Sequence, residues 1–460
     1  MLRALLTVFL LVPASLAVAE TRVPATQSEI SLGFAPVVKQ AAPAVVNIYA
    51  KIIRQGRASP LFSDPFFRDF FQGRTAPRKR VENSLGSGVI LTGDGYVVSN
   101  YHVVGMATEI RVVTTDRREF EAMVVLGDSE SDIAILKLSE AQGLPSLSLR
   151  DSDQVEVGEL ALAIGNPFGV GQTVSSGIVS GLARSGTATG NARGYFLQTD
   201  APINPGNSGG ALVDVNGDLI GINTSILTRS GGSNGIGFAI PANLVAEFLR
   251  QAQDGATEFQ QPWAGMSGQQ MTADIAELLG LHLPGGFVVS NMHRLSPFAE
   301  AGFKPGDVIT HMDGQEVNSP PEMKFRMAVA GIGGTARVTR YRGGASQEVD
   351  VAMMLAPDEP PAEQTALDDR TILPGLIVAR ANPAVIARMA LSVSTEGVVV
   401  LDPGWNGNRA GLRRGDILLN VNDRQIETPS DVRRALTDPG RWVNMLLERQ
   451  GQRMSLRFRL

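Results

Sequence analysis

The chain has 460 residues and no cysteine. Disulfides and cysteine-ligated zinc or iron–sulfur centres are therefore excluded, and its cores must hold without covalent staples. Histidine is scarce as well. The four histidines stand at 102, 282, 293 and 311 with no HExxH pair, so a metal centre is not expected. No G-x-x-x-x-G-K loop occurs, which removes the usual cradle for a nucleotide's phosphates. The net charge of −5 lacks the basic excess that nucleic acid would require. Beyond the N-terminus there is no apolar run long enough to cross a bilayer.

What is present begins with "MLRALLTVFLLVPASLAVAE", a positive end at Arg3, an apolar run from Leu5 to Val12 and the small residues Ala17-Val18-Ala19. This reads as a signal peptide, residues 1–19, that would send the mature chain out of the cytoplasm; association with a membrane surface stays open. Residues 28–50 read as a helix leading into a strand. Residues 54–84 form a long irregular segment rich in phenylalanine, "DPFFRDFF", which is either a short amphipathic helix or a loop docking on another subunit.

Fifty glycines and few aromatics favour strands and turns. From Gly86 to Pro241, short β-type runs recur about every ten residues with Gly, Asn and Asp between them, which predicts an all-β barrel or sandwich. "GDG" and "NGD" predict hairpin turns, and Ala242 to Gln253 predicts a helix. Two later segments repeat one another. Gly302 aligns with Gly411, Gly306-Asp307 with Gly415-Asp416 and Pro320 with Pro429, all at one offset, so a domain is duplicated. Between the copies, "APDEPPAEQTALDDR" is acidic and Pro-rich and reads as a flexible linker, 356–371.

Three passages of the β region carry chemistry. "VVSNYHVV" sets His102 just after a strand, "GDSESDIAILKL" sets Asp132 at the start of one, and "NPGNSGG" holds Ser208. A serine hydroxyl needs a base, a histidine supplies one near neutral pH, and a carboxylate fixes that histidine's tautomer. Gly206, Gly209 and Gly210 around Ser208 suit a sharp turn that bares the N–H groups of Gly206 and Ser208 to one spot, as an oxyanion hole requires.

These motifs, with "GNPFGVGQTVSSGIVSG", "LQTDAPINPGNSGGALVDVNGDLIGINTSI" and "GIGFAIP", resemble those of the HtrA (Do-like) periplasmic serine endoproteases, and the likeness runs through both repeats, which resemble PDZ domains. The resemblance implies a mainly β chain: a chymotrypsin-like double β-barrel, residues 20–258, followed by two small α+β PDZ domains, 262–355 and 372–460. It implies His102 as base, Asp132 as its orienter, Ser208 as nucleophile, and an oxyanion hole at Gly206, Asn207 and Ser208. By position, Ile203 and Ile226 resemble the residues lining the substrate side-chain pocket, Arg184 the arginine of a sensor loop, and the Phe-rich segment a loop that reaches a neighbouring active site. Pro202 stands where trypsin keeps an acid, so cleavage after small aliphatic residues is expected rather than after Lys or Arg. "WAGM" (Trp263, Ala264, Gly265, Met266) and the loop at Gly375, Leu376 and Ile377 stand where PDZ domains bind a peptide's carboxylate. The implied function is ATP-independent degradation of unfolded exported proteins in the periplasm by a homo-oligomer, a trimer or multiples of trimers, with no cofactor; the alternative is a holding chaperone or scaffold.

Overall fold

The computed structural model describes residues 33–54, 80–166, 171–185, 195–204, 206–226, 234–278, 285–438 and 440–459. The signal-peptide region and the phenylalanines of the irregular segment lie outside them.

Apolar residues alternate with polar ones along β4 (Glu109–Val113), whereas β6 (Ile133–Leu138) is apolar on both faces. Such strands need one or two buried faces, and a closed barrel provides them while leaving no raw edge. β4 and β6 join β1 (Val45–Arg54), β2 (Arg80–Ile90), β3 (Tyr96–Ser99) and β5 (Glu119–Asp128) in a barrel of order β1-β2-β3-β6-β5-β4. A second closed barrel, in the order β10-β11-β12-β9-β8-β7, is built from β7 (Leu160–Gly165), β8 (Thr173–Ser185), β9 (Tyr195–Thr199), β10 (Ala211–Val213), β11 (Leu219–Ile226) and β12 (Gly237–Pro241). The expected double barrel is thus present, with "GDG" turning β2 into β3 and "NGD" turning β10 into β11. A helix, α1 (Ala35–Ala41), precedes β1, and α2 (Tyr101–Val104) follows β3. The helix α3 spans Ala242–Gln253, and its Phe248 stacks on Phe259 at 3.7 Å. The irregular segment is shorter than expected. β1 and β2 pair as far as Arg54 and Arg80, so the hairpin takes up both of its ends.

Two further sheets follow. In the first, β13 (Met266–Gln270), β14 (Phe287–Met292), β15 (Val308–Met312), β17 (Thr335–Arg342) and β18 (Ala345–Ala352) lie in that order, with β16 (Gln315–Glu316) on β15. In the second, β19 (Thr365–Ala366), β20 (Ile377–Arg380), β21 (Val398–Asp402), β22 (Ile417–Val421), β24 (Trp442–Arg449) and β25 (Gln452–Arg459) do so, with β23 (Arg424–Gln425) on β22. Each sheet carries one longer helix, α4 (Pro320–Ala330) in the first and α5 (Pro429–Thr437) in the second. The duplication extends to side chains. Buried Asp307 pairs with Arg342 (2.5 Å), and Arg342 also donates to the Gly302 carbonyl (2.8 Å). Asp416, Arg449 and Gly411 repeat the arrangement at 2.7 and 2.8 Å.

The segment read as a flexible linker is tied down. Asp358 and the Pro360 carbonyl accept hydrogen bonds from Asn382, Ala384 N–H donates to the Pro357 carbonyl, and Arg380 N–H donates to Ala362. Leu367 is 3% exposed within the core of the second sheet. Its acidic, Pro-rich composition predicted flexibility; the second sheet supplies the surface on which it orders.

The first sheet's helix also docks on the second barrel. Phe325 stacks on Tyr195 (4.0 Å, 12°) and belongs to the same apolar core as the barrel strands. Beside it, Arg326 donates to Asp153 (2.5 Å) and to the Tyr195 hydroxyl (2.9 Å), and Lys324 pairs with Glu130 (2.6 Å). A cavity of about 250 Å³ remains there between α4, Tyr195, Phe196 and Leu244.

Candidate active site

His102 lies on α2, directly after β3, and Asp132 stands just before β6, which pairs with β3. Neighbouring strands therefore bring the two side chains to one end of the first barrel. Their ends are also pinned together, because Tyr101 N–H (3.1 Å) and Asn100 Nδ2 (3.0 Å) both donate to the Asp132 carbonyl. Asp132 has a φ of 55°, the left-handed region that an Asp tolerates better than most side chains. This backbone turns its carboxylate back onto α2. His102 Nδ1 lies 2.9 Å from both carboxylate oxygens, and His102 N–H donates to Oδ1 at 3.0 Å.

The second barrel contributes the rest. Thr224, on β11, donates its hydroxyl to Asp132 Oδ2 (2.7 Å), while its carbonyl accepts the hydroxyl of Ser208 (3.1 Å). One residue therefore links carboxylate and serine across the cleft between barrels. The sequence reading did not single out Thr224; its place inside a quoted motif, three residues after Gly221, was the signal available.

The side chains of His102 and Asp132 are 23% and 26% exposed, so the pair lines an open cleft. Burial disfavours the charged imidazolium, but the charge and hydrogen bond of Asp132 outweigh it, and the pKa of His102 is raised. For Asp132 burial likewise works against the charge, and the His102 interactions and the Thr224 hydroxyl prevail, so its carboxyl is held below the usual range.

The turn bearing Ser208 is held from both sides. A side chain has no room at Gly209, where a Cβ would fall 2.1 Å from the Ser87 carbonyl, or at Gly210, where it would fall 2.2 Å from the Ile164 carbonyl. That close approach of β2 and β7 is why the two glycines are adjacent. Ser87, fully buried on β2, donates its hydroxyl to the Gly206 carbonyl (2.7 Å) and its N–H to the Ser208 carbonyl (2.9 Å). Asn207 N–H donates to the Asn204 carbonyl (2.9 Å), which corrects its expected place in the oxyanion hole: the turn itself uses that donor. The N–H groups of Gly206 and Ser208 have no backbone acceptor among the described residues, and both residues are half-buried at the cleft.

Ile203 is 2% exposed and lies against Gly237, with its Cδ1 2.7 Å from where a Cβ would stand. Gly237 pairs with Ile226 across β11 and β12; the Ile226 side chain lies outside the described residues. Arg184 is placed by its backbone in β8 opposite Phe196 rather than in a loop, and its side chain also lies outside them. In the first sheet Trp263, Ala264 and Gly265 form the loop that enters β13 at Met266. Trp263 N–H donates to Met354, the Ala264 carbonyl accepts from Ser296 Oγ (2.6 Å), and the Gly265 carbonyl accepts from His293 N–H (2.7 Å). In the second sheet, Gly375, Leu376 and Ile377 are bonded to residues 365–367 of the same chain. Among the described residues no group of three or more metal-ligating side chains occurs.

Two closed barrels with an Asp–His pair on one and a glycine-flanked serine on the other define a trypsin-like peptidase. In agreement, residues 86–222 match the trypsin-like peptidase domain, and residues 265–353 and 397–449 match the PDZ domain. The chain is 37% identical to the periplasmic pH-dependent serine endoprotease DegQ of Escherichia coli K12, covering 87% of this chain and 86% of that one. It is also 37% identical to a probable periplasmic serine protease do/HhoA-like of Haemophilus influenzae (92% and 91% covered). The solved HtrA-type protease AlgW with decapeptide is 42% identical, with a TM-score of 0.52 over 72% of this chain and all of that one. The chain belongs to the HtrA (Do-like) family of serine endoproteases.

Proposed function

We propose that this chain is a periplasmic endoprotease that degrades unfolded exported proteins, using His102 as general base, Asp132 as its orienter and Ser208 as nucleophile. The carrying observation is the continuous chain Ser208–Thr224–Asp132–His102 across the two barrels. Ser208 Oγ attacks the scissile carbonyl and passes its proton to His102, which returns it to the leaving amine; water then repeats the cycle on the acyl-enzyme. The N–H groups of Gly206 and Ser208 receive the oxyanion, a contribution of about 3–4 kcal/mol for each well-placed donor. For attack the hydroxyl turns from the Thr224 carbonyl to the imidazole. Buried Ile203 beside Gly237, with Pro202 where an acid would attract Lys or Arg, favours cuts after Val, Ala or Ile.

The first PDZ-like unit captures substrate C-termini. β13 is an edge strand, and the N–H groups of Ala264 and Gly265 in the loop before it have no backbone acceptor among the described residues. Relatives named periplasmic, and the N-terminal signal, support export. By family analogy the working assembly is a trimer or a multiple of trimers.

Casein digestion by purified protein beside Ser208→Ala tests the assignment, with mass measured in solution. The variant is expected to lose cleavage and keep fold and substrate binding. Cleavage near the parent rate would refute the nucleophile, and most cuts after Lys or Arg would refute the pocket. A monomeric mass would refute the trimer.

A further inference from the structure

The two PDZ-like units differ at the edge where a peptide would add. Among the described residues β13 begins the first sheet with a partner on one side only, β14. Its counterpart β20 has partners on both sides, because β19 pairs with it antiparallel, Thr365 opposite Val378 and Ala366 opposite Ile377. The correspondence of the two edges is fixed by matching bulges, at Ser267/Gly268 against β14 and at Ile377/Val378 against β21. Gly265 and Gly375 thereby occupy the same place in the loop before the strand.

At that loop the contrast repeats. In a PDZ-type site the loop N–H groups hold a ligand's terminal carboxylate and a pocket below takes its last side chain. Gly265 N–H has no backbone acceptor among the described residues, whereas Gly375 N–H donates to the Leu367 carbonyl at 2.9 Å. Leu367 N–H donates to the Leu376 carbonyl at 2.9 Å, continuing the ladder begun by β19. The Leu367 side chain is 3% exposed in an apolar cluster with Leu376, Val378, Val432 and Leu436, the last two from α5. From α5, Arg433 also donates to the Ala366 carbonyl (3.1 Å). Backbone ladder, terminal carbonyl and apolar pocket are all taken by three consecutive residues.

We propose that the second PDZ-like unit is a peptide-binding site filled by its own chain, with Thr365–Leu367 in the position of a bound C-terminus and Leu367 as its last residue. The inference rests on the reading of these units as peptide binders. Each chain then offers one open peptide site, in the first unit. Tethering makes the occupant hard to displace. At an effective concentration on the order of mM, a segment that binds with ~10 µM affinity weakens a competing free peptide about 100-fold.

The test is isothermal titration of full-length Ser208→Ala protein with a decapeptide ending in Ala-Leu and a free carboxylate. One site per chain is expected. Adding Ala366→Pro and Leu367→Gly, which break the ladder and empty the pocket, is expected to give two. Two sites before those changes would overturn the proposal, as would one site after them in a variant whose second unit still unfolds cooperatively. No site in either protein would instead refute the peptide-binding reading. Should the variant fail to fold, hydrogen exchange on the Ser208→Ala protein decides. The Leu367 and Gly375 amides are expected to stay as protected as the β22–β24 ladder in millimolar peptide, and exchange as fast as a surface turn would overturn the proposal.

Discussion

Ser87 is buried in the wall of the first barrel, yet its hydroxyl and N–H hold the carbonyls at both ends of the Gly206–Ser208 turn of the second. Removing the hydroxyl in Ser87→Ala leaves the Gly206 carbonyl and Asn166 N–H without that partner and loosens the oxyanion donors. Expected is a fall in kcat of about tenfold, some 1.4 kcal/mol, with KM little changed; an equal rise in KM would mean that the turn binds substrate rather than the transition state. The acid–base pair gives a second expectation. As the proposed base His102 must be neutral to act, and its pKa is raised. Activity is therefore present above that raised value and lost as pH falls through it, so the acid limb of kcat/KM lies above the ordinary ~6.5 of histidine. Asp132→Asn removes the charge that raises it. The limb should move to lower pH, and the rate should drop by about 10⁴-fold, the size found when other triads lose this carboxylate. A limb that stays in place would show that another group sets it.

At the scale of elements, α4 faces two ways. It runs along β13 beside the open peptide edge, and it is bolted to the second barrel through Phe325 and Arg326 and to the first, just before β6, through Lys324. Tyr195, its main contact, opens β9 opposite Ser185, at the end of the β8–β9 pair that carries Arg184. Glu130, the partner of Lys324, stands two residues before Asp132. Arg326→Ala removes a buried guanidinium and leaves half-buried Asp153 without its ion pair, a loss of about 1.5–3 kcal/mol for a charge-assisted hydrogen bond. Calorimetry of the variant should separate the first PDZ-like unit from the barrels as an earlier transition. A profile unchanged from the parent would mean that apolar packing alone joins them.

For the whole molecule, peptide capture and cleavage on one chain make the second contact intramolecular, with an effective concentration on the order of mM. Long unfolded substrates should then be digested far better than peptides too short to bridge both sites. An excess of an apolar C-terminal decapeptide should slow casein digestion and leave cleavage of a short reporter unslowed. Equal slowing of both would mean that the decapeptide simply occupies the active site.

Strand-and-turn spacing, the duplicated segment and the helix at Ala242–Gln253 were legible in the sequence because each is a local pattern whose hydrogen bonds and apolar period lie within a few residues. His102, Asp132 and Ser208 could be singled out because their motifs are long, and the fold brings His102 and Asp132 within 2.9 Å and joins Ser208 to Asp132 through Thr224. Thr224, Ser87 and Arg326 were not, since an ordinary threonine, serine or arginine gains its role only from what stands opposite it across a barrel or a domain boundary. Asn207 shows the same limit: sequence put it beside the nucleophile, and the turn's own hydrogen bond decided where its N–H points. Composition read residues 356–371 as a flexible linker, and the fold ties them down. Whether they stay loose depends on a vacant sheet edge, and that edge belongs to strands that begin at Ile377 and later, which only the folded chain brings beside Thr365.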